Sequence, residues 1–370
     1  MKKSYCAVGL MSGTSLDGVD MVCAQFTYHN TDKTWTYKIL KTGYIAYPKQ
    51  WKRRLSLLVK KNAITYHKTH TFYGHYLGEL TNEFIKKNNL SGKLDFVALH
   101  GHTVFHDPHD LVTSQIGDGA AVAYLTGVPA ICQFRTSDVA AHGQGAPIVP
   151  ITDLYLFAQH RFCLNLGGIA NISAKTAPPK AIIGFDICAN NLVLNHFANY
   201  FGQEYDNEGQ IAQAGQVNSG LFEELNQLPF YKKTYPKSLD AGWVKTALMP
   251  IFERYALEPQ DVLRTYVEHI AYQIGQSIKN VNKTEEIKDN TNKAITMLVT
   301  GGGAHNSFLM EQIAKHSPVS VIKASNDIIN FKEALAIAFC GVLRVRGQAN
   351  ALSAVTGAHR DTVNGCIYHP

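Results

Sequence analysis

GLMSGTSLDGVD, residues 9–20, sets glycines, small hydroxyl residues and two aspartates between apolar residues. The segments on either side, 4–11 and 19–28, predict strands, so the glycine-rich residues 13–18 form the turn that joins them. A glycine turn lets the backbone approach a ligand closely and points several N–H groups at one spot, which suits an anion. The opening of the chain therefore predicts a strand pair whose connecting turn holds an anionic group.

The composition predicts a globular protein of two lobes. The 370 residues are 45% hydrophobic and 17% charged, which is enough to bury one large core or two ordinary ones. We expect an N-terminal lobe over 1–140 and a C-terminal lobe over 141–370, with the C-terminal segment free to pack back on the first. The formal charge of +6 is mildly basic, and basic clusters at 52–54, 60–61 and 86–87 are interpreted as solvated helix faces. A nucleic-acid surface is typically predicted by a basic stripe interleaved with aromatic residues, and the sequence contains no such stripe.

The cysteines and the apolar segments predict a cytoplasmic protein without membrane contacts. Seven cysteines lie far apart with no C-x-x-C pair, which favours buried free thiols in a reducing compartment. The longest apolar segment, 334–345, is too short to span a bilayer and contains Arg344. The apolar run near the N-terminus is broken at residues 12–14, too early for a secretion signal.

The order of predicted elements repeats along the chain. Strands at 4–11, 19–28 and 34–47, with a glycine turn after the first, precede helices at 49–62 and 65–88. After residue 150, strands at 161–166, 169–174 and 181–185, again with a glycine turn after the first, precede a helix at 191–200. The other predicted elements are strands at 95–100, 128–134 and 294–300, helices at 118–126 and 332–346, and a surface loop at 279–293. Strands alternating with helices predict an α/β architecture with parallel or mixed sheets.

Three glycine turns, 13–18, 165–168 and 301–303, are candidates for binding phosphate. Neither a Walker A loop nor a G-x-G-x-x-G fingerprint is present, so the P-loop and Rossmann routes to a nucleotide are not supported. One hairpin from each half can instead hold a triphosphate between two lobes, with the third loop near the adenosine. Asp17 and Asp20 would then lie close enough to hold Mg²⁺ directly or through water. The alternative is that all three are ordinary tight turns.

Motifs distributed over nearly the whole chain carry a family resemblance. They are residues 9–20, 99–106 (LHGHTVFH), 115–123, 134–150 (FRTSDVAAHGQGAPIVP), 165–173 (NLGGIANIS), 184–191 (GFDICANN), 205–215, 236–239, 299–306 (VTGGGAHN), 331–339 and 353–358. With these residues the chain resembles the anhydro-N-acetylmuramic acid kinase family, within the actin, hexokinase and heat-shock-chaperone superfamily of two-lobed phosphotransferases. The resemblance implies an α/β fold of two ribonuclease-H-like lobes with a central nucleotide cleft.

The resemblance also implies a reaction. The family uses ATP with Mg²⁺ to phosphorylate the 6-position of 1,6-anhydro-N-acetylmuramic acid while water opens the anhydro bridge. The product is N-acetylmuramate 6-phosphate, within peptidoglycan recycling, and a homodimer is the assembly that the family suggests. Two other functions stay open at this point: a nucleotide-binding regulator on the same scaffold, and a kinase for another anhydro sugar.

Residue by residue, the resemblance assigns three kinds of site. Catalysis falls to Asp186, as the base that activates water, assisted by Glu333 near the sugar. Sugar contacts fall to His100, Gly101, Arg135 and Asp138. ATP contacts fall to Gly13, Thr14, Ser15, Leu16, Asp17, Gly18, Val19, Asp20, Gly167, Gly168, Asn171, Gly301, Gly302 and Gly303, with Asp17 also assigned to Mg²⁺.

Each assignment has a structural alternative. Asp186 can cap the helix that follows it, and Glu333 can be a charge in a first helical turn, favoured by the macrodipole. Arg135 and Asp138 can form a surface ion pair of little energetic value.

Two features of the motifs depart from a simple mapping. Four closely spaced histidines are a candidate zinc site, because zinc is often bound by histidine. They are His100, His102, His106 and His109. His102 stands where the family commonly has glutamine, which argues against a required metal ligand. After Asp186 the family's usual Thr-Gly-Pro-Gly-Asn is replaced by Ile-Cys-Ala-Asn-Asn at 187–191. This second departure leaves the substrate range open.

Overall fold

The computed structural model describes residues 2–13, 15–178, 181–285 and 294–370. The predicted nucleotide contact Thr14 lies outside these ranges, as does 286–293 of the predicted loop. Contacts divide the chain into two compact units: Met1–Leu156 with Phe331–Pro370, and Phe157–Asn330. The first unit thus includes the C-terminal segment, whereas the predicted lobes divide at residue 140.

Strands and helices alternate through the described residues. The strands are β1 (Ser4–Met11), β2 (Gly18–His29), β3 (Thr34–Ala46), β4 (Phe96–Leu99), β5 (His102–Asp107), β6 (Val112–Ile116), β7 (Ala130–Cys132), β8 (Phe162–Leu166), β9 (Ile169–Lys175), β10 (Ile182–Ala189), β11 (Thr296–Thr300), β12 (Ser320–Lys323) and β13 (Cys366–Tyr368). The helices are α1 (Lys49–Leu57), α2 (Ala63–Lys87), α3 (Gly119–Thr126), α4 (Thr136–Ala140), α5 (Pro150–Tyr155), α6 (Asn191–Ala198), α7 (Gln210–Ala214), α8 (Ser219–Asn226), α9 (Pro229–Lys232), α10 (Ala241–Trp243), α11 (Met249–Arg254), α12 (Pro259–Thr284), α13 (Ser307–His316), α14 (Asn326–Val345) and α15 (Ser353–Thr356). Across the described ranges, no helix combines the length and the apolar character needed to cross a membrane.

The first unit is built on a six-stranded sheet in the order β13-β7-β4-β1-β2-β3. The first three strands of the chain pair antiparallel, whereas β1, β4 and β7 run parallel to one another. Because the carboxyl ends of parallel strands meet at one edge of a sheet, the residues that follow β1, β4 and β7 share that edge. This edge collects the hairpin at 12–18, His100 and Arg135.

The second unit repeats this topology in the order β10-β9-β8-β11-β12. Here β8, β9 and β10 pair antiparallel, and β8, β11 and β12 run parallel. Three antiparallel strands followed by parallel additions on the first strand are the ribonuclease-H-like arrangement. The predicted α/β fold of two such lobes is therefore confirmed, while the predicted nucleotide cleft stays a prediction.

Helix α14 approaches β1 very closely in the first unit. A Cβ at Gly9 would lie 2.0 Å from the Ala334 carbonyl oxygen and 2.9 Å from the Ala338 Cβ. Small residues at these three positions let the helix backbone lie almost directly on the strand. Glu333, the residue before Ala334, is thereby held beside the strand that leads into the hairpin.

Two predicted boundaries are wrong. Helix α14 begins at Asn326 and not at 332, so Glu333 lies inside the helix and not in its first turn. The macrodipole alternative for Glu333 therefore loses its basis. Helix α12 continues to Thr284, so the first part of the predicted loop at 279–293 is helical. The reason is that the apolar face of the helix continues between its charged residues as far as Val281, which is fully buried.

Candidate active site

The hairpin at 12–18 leaves β1 and returns into β2 in the first unit. Met11 and Asp20 face each other across the two strands, so Asp20 lies at the base of the hairpin. Val19 belongs to the buried core cluster and is fully buried. Any contact of Val19 with a nucleotide is therefore limited to its backbone.

Backbone contacts hold the tip of this hairpin. Leu16 has a φ of 61°, which is uncommon for leucine and requires support from surrounding contacts. The Tyr47 N–H donates to the Asp17 carbonyl oxygen at 2.9 Å, and this leaves the exposed Asp17 side chain pointing away from the core. The hairpin is thus held by the main chain of Tyr47, while Gly13, Ser15 and the Asp17 carboxylate remain accessible to solvent.

Two carboxylates of the first unit, those of Asp17 and Glu333, act electrostatically on a third, that of Asp20. Burial first, and then the charges of Glu333 and Asp17, together raise the pKa of Asp20 to about 6. Burial also raises the pKa of Glu333, which remains accessible to solvent, while Arg135 and Lys332 oppose that shift. The carboxylates therefore carry repulsion that a bound cation would relieve.

We expect Asp20→Asn to stabilise the ligand-free protein at pH 7. The pKa of Asp20 is about 6 when folded against an ordinary 3.8, so the unfolded state gives up this proton first. Stability is therefore lost as pH rises from 3.8 to about 6. After allowance for solvent screening, the variant should gain about 1 kcal/mol at pH 7 and nothing at pH 4.

Thermal unfolding at the two pH values measures this effect. Asp17→Asn is the matched control, because the exposed Asp17 should gain less. Loss of stability in Asp20→Asn at pH 7 would show that the carboxylate has a favourable partner in the folded state.

Arg135 and His100 form one hydrogen-bonded unit at the edge where β4 and β7 end. The Arg135 Nε–H donates to His100 Nε2 at 3.0 Å, and Arg135 Nη1 donates to the Gly145 carbonyl oxygen at 2.6 Å. His100 Nδ1 lies 2.8 Å from the Gly101 carbonyl oxygen, so this nitrogen carries the hydrogen. Burial and Arg135 lower the pKa of His100 to about 3. His100 therefore orients the guanidinium as a neutral acceptor, and the contact of Arg135 with a sugar stays a prediction.

Asp138 has a different role from the one predicted. It is fully buried; its Oδ2 accepts the Gly145 N–H at 2.7 Å and its Oδ1 accepts the Thr356 hydroxyl at 2.8 Å. The Asp138 N–H donates to Asn364 Oδ1 at 3.1 Å. This geometry makes Asp138 a positioning residue for the loop that carries Gly145, instead of the predicted contact with the sugar.

The histidines of the 100–109 segment serve separate purposes. His106 Nδ1 lies 3.0 Å from the Thr113 hydroxyl, within the β5–β6 hairpin. His102 is buried, and the Gly13 backbone opposes the lowering of its pKa that burial causes, which places the ring of this β5 residue close to the phosphate-binding candidate. Among the described residues, no group of three or more His, Cys, Asp or Glu side chains is arranged to hold a metal. The zinc alternative is therefore not supported.

A row of polar side chains crosses four strands of the second unit. Thr300 pairs with Asn165, Asn165 with Asn171, and Asn171 with Asp186, on β11, β8, β9 and β10 in turn. Directly paired residues point to the same face of a sheet, so these side chains are neighbours. The predicted nucleotide contact Asn171 thus lies beside the predicted base.

Asp186 lies at a β-bulge in β10, where the register with β9 shifts between Asp186 and Cys188. Its Oδ2 accepts the Leu239 N–H at 2.8 Å, and its own N–H donates to the Lys237 carbonyl oxygen at 3.0 Å. Burial raises the pKa of the carboxyl, and the bond from Leu239 opposes the shift. Bulges commonly redirect a side chain beside an active site. Among the described hydrogen bonds of this carboxylate the acceptor is Oδ2, and the role of Asp186 as a base stays a prediction.

The start of α6 binds the glycine turn between β8 and β9. The Asn190 Nδ2 and the Asn191 N–H donate to the Gly167 carbonyl oxygen at 2.9 and 3.2 Å, and the Asn190 N–H donates to the Gly168 carbonyl oxygen at 2.8 Å. Asn190, and not Asp186, precedes the first residue of α6, so the capping alternative for Asp186 is wrong. Asn190 is fully buried, with φ −131° and ψ −103°, an uncommon conformation that fits a constrained site.

The third glycine turn packs against the end of β8 in the same sheet. Gly301 has a φ of 83°, and a Cβ there would lie 2.6 Å from Asn165 Oδ1. Only glycine fits this combination of backbone conformation and contact. Gly167, Gly168, Gly301 and Gly302 are thereby gathered at the carboxyl edge of β8 and β11, while the predicted contact Gly303 is buried.

The duplicated sheet and its glycine turns are the fold of the actin, hexokinase and heat-shock-chaperone superfamily of phosphotransferases. A family model described as anhydro-N-acetylmuramic acid kinase matches residues 5–370. Relatives named anhydro-N-acetylmuramic acid kinase include one from Hahella chejuensis, 30% identical with 100% of both chains covered, and one from Actinobacillus pleuropneumoniae serotype 7, 34% identical with 98% of both covered. A third, from Thiobacillus denitrificans, is 34% identical over 98% of this chain and 96% of its own. The chain belongs to the anhydro-N-acetylmuramic acid kinase family.

Proposed function

We propose that this protein phosphorylates 1,6-anhydro-N-acetylmuramic acid with ATP and opens the anhydro ring with water, giving N-acetylmuramate 6-phosphate for peptidoglycan recycling. The observation that carries the proposal is Asp186: a half-buried carboxylate on a bulge, fixed through one oxygen, with a raised pKa. A base of this kind can accept a proton from a water molecule near neutral pH.

Each bond change has a group to perform it. Asp186 takes a proton from water as the water oxygen bonds to the anomeric carbon, on the face opposite the departing O6. The bond from that carbon to O6 breaks, and O6 takes the γ-phosphoryl group of ATP while ADP leaves. Arg135 orients the sugar through its remaining donors, and Glu333 assists near the sugar.

The nucleotide is proposed to be held by backbone N–H groups. The hairpin at 13–18 and the turns at Gly167–Gly168 and 301–303 supply them. Asp17 and Asp20 fit a Mg²⁺ ion that arrives with the phosphates, because the repulsion on Asp20 calls for a cation and Mg²⁺ commonly keeps waters and uses one or two carboxylates. The ion would neutralise charge on the phosphate oxygens.

A cytoplasmic location and a homodimer are part of the proposal. All seven cysteines are free thiols, which suits a reducing compartment. The homodimer rests on the family resemblance alone, and sedimentation of the purified protein tests it.

The reaction is tested with the purified protein, ATP, Mg²⁺ and the anhydro sugar. Mass spectrometry should find the 6-phosphate, and reaction in ¹⁸O-labelled water should place the label on the anomeric oxygen. ATP binding with no response to any sugar would favour the regulator, and turnover of a different anhydro sugar alone would favour the other kinase. Product without label would contradict the role of water.

We expect His102→Leu to weaken ATP use, because it removes a polar ring that lies close enough to the Gly13 backbone to hydrogen-bond it. One such bond contributes about 0.5–1.5 kcal/mol, so the KM for ATP should rise about 3- to 10-fold. His102 Nδ1 is buried without a partner in the described part of the chain, so leucine also removes an unsatisfied atom and the fold should survive.

His102→Gln is the matched control for this change. Glutamine can keep the bond to Gly13 and should hold the KM for ATP within about twofold of the wild type. Equal KM values in the leucine and glutamine variants would exclude His102 from positioning the hairpin.

A further inference from the structure

The positive charge of the chain is concentrated in one segment of the first unit. Residues 33–78 contain ten Lys and Arg residues and no Asp or Glu. Because the whole chain carries +6, the remaining residues together carry −4. A solvated helix face normally mixes both signs, so an acid-free segment of this length indicates a local positive field.

Helix α1, the 3₁₀ turn after it (Leu58–Lys60) and the start of α2 line an open groove of about 370 Å³ within this segment. We call it the basic groove and define it by its main lining residues. These are Arg53, Arg54, Leu57, Leu58, Lys61 and Thr65. The volume lies at the lower end of the range for small-molecule sites, about 300–1,000 Å³.

The three cations of the basic groove lack a carboxylate partner in the part of the chain that the structure describes. Within the described ranges, no carboxylate forms an ion pair with Arg53, Arg54 or Lys61. The Arg54 guanidinium lies 5.0 Å from the centre of the Trp51 ring, which restricts its orientation. Three cations sharing one concave surface repel one another, and an anion bound among them would remove that repulsion.

The start of α2 adds to the same field. Asn62 caps this 25-residue helix by accepting the Thr65 N–H at 2.9 Å, and the first turn contains no acidic residue. The N-terminus of a helix carries partial positive charge, which attracts anions. Thr65 lies in that first turn and lines the groove, so the helix end and the cations act on the same volume.

We propose that the basic groove binds a phosphorylated small molecule. Arginine pairs well with phosphate oxygens through two parallel hydrogen bonds, and two arginines with a lysine match a dianion or trianion. Leu57 and the buried Leu58 offer an apolar surface for the rest of the ligand. None of the residues that line the groove belongs to the proposed catalytic or nucleotide set, so this is a second ligand site.

The concave shape favours a small ligand over a membrane or a nucleic acid. A surface that tracks a nucleic-acid backbone needs an extended groove with aromatic platforms. Membrane binding needs a broad apolar face with a cationic rim. The basic groove instead gathers its charge around a volume that one phosphorylated metabolite would fill.

Calorimetric titration with inorganic pyrophosphate tests the proposal at 0.15 M salt. The variant Arg53→Gln/Arg54→Gln/Lys61→Gln should lose one binding event or bind at least about tenfold more weakly, as expected for lost charge-assisted hydrogen bonds. The matched control Lys33→Gln/Lys38→Gln/Lys41→Gln removes three exposed charges from the same segment outside the groove. It should change affinity less than about twofold, because salt screens exposed charges.

Pyrophosphate can also bind at the nucleotide site, so the comparison between variants decides the outcome. Both triple variants are expected to keep kinase turnover, which checks their folding independently of the proposal. Equal losses of pyrophosphate affinity in the two variants would show that the effect comes from net charge and not from the groove. Unchanged affinity in the groove variant would show that the groove is not a binding site. Stronger binding to phosphatidylglycerol vesicles or to an oligonucleotide than to pyrophosphate would also overturn the proposal.

Discussion

Asp186→Asn is expected to lower kcat by about 10²–10⁴-fold, the usual contribution of a positioned general base. Asparagine keeps the size of the side chain and can still accept the Leu239 N–H, so the bulge and the sheet should survive. ATP affinity should stay within about twofold, because the proposed nucleotide contacts are backbone groups. Steady-state kinetics and nucleotide calorimetry measure both quantities.

Asp240→Asn is the matched control for this substitution. Asp240 is exposed and caps α10 through the Trp243 N–H at 2.7 Å, a role that asparagine can take over. The control should keep full activity. A turnover of Asp186→Asn near that of the wild type would refute the assignment of the base.

The pH dependence of the wild type follows from the same carboxyl. The base works only when ionised, and burial raises the pKa of Asp186 above its usual 3.8. As pH falls, kcat should therefore begin to drop at a higher pH than for an ordinary aspartate. The acid limb of the kcat profile should be absent in Asp186→Asn if this group causes it.

Gly9→Ala should lower the free energy of unfolding by about 3 kcal/mol or more, at the upper end of the range for overpacked cores. The added methyl group would lie 2.0 Å from the Ala334 carbonyl oxygen, which belongs to helix backbone and cannot turn aside. Helix α14 must move away from β1, and Glu333 moves with it. Denaturant unfolding should detect the loss of stability, and kcat should fall in the fraction that remains folded.

Gly220→Ala provides the control for a glycine replaced in an open position. Gly220 lies in α8 of the second unit, and a Cβ there would be 3.5 Å from its nearest neighbour, an ordinary contact. Alanine should stabilise this helix by up to about 1 kcal/mol. If Gly9→Ala were as stable as Gly220→Ala, the close approach of α14 to β1 would be disproved.

The order of strands and helices along the chain could be predicted from local patterns, and the ribonuclease-H-like fold from the resemblance. Glycine turns after the first strand of each half marked the start of a ribonuclease-H-like sheet, and the structure confirms that fold. Helix ends were harder to predict. Helix α14 begins at Asn326 and helix α12 ends at Thr284 because tertiary packing extends both helices into polar stretches of the sequence. Propensity alone cannot reveal such packing.

The roles of individual polar residues could not be predicted from the motifs, because they depend on three-dimensional contacts that a motif does not show. Asp138 and Arg135 stand three residues apart in one motif, yet Asp138 is fully buried and accepts the Gly145 N–H, whereas Arg135 donates to His100 and to the Gly145 carbonyl oxygen. His102 and Asn190 were missed as supports of the glycine turns, because each acts on a segment distant in sequence. Only the position of Asn190 directly before a predicted helix could have drawn attention to it.

The bulge in β10 has an evolutionary consequence. Main-chain atoms of Lys237 and Leu239 hold Asp186, whereas the three residues after it, 187–189, are fully buried. Substitutions in that tripeptide therefore change the packing of the interior and leave the contacts that Lys237 and Leu239 make with Asp186 in place. A lineage can therefore change this part of its family motif and still keep the main-chain contacts that hold Asp186.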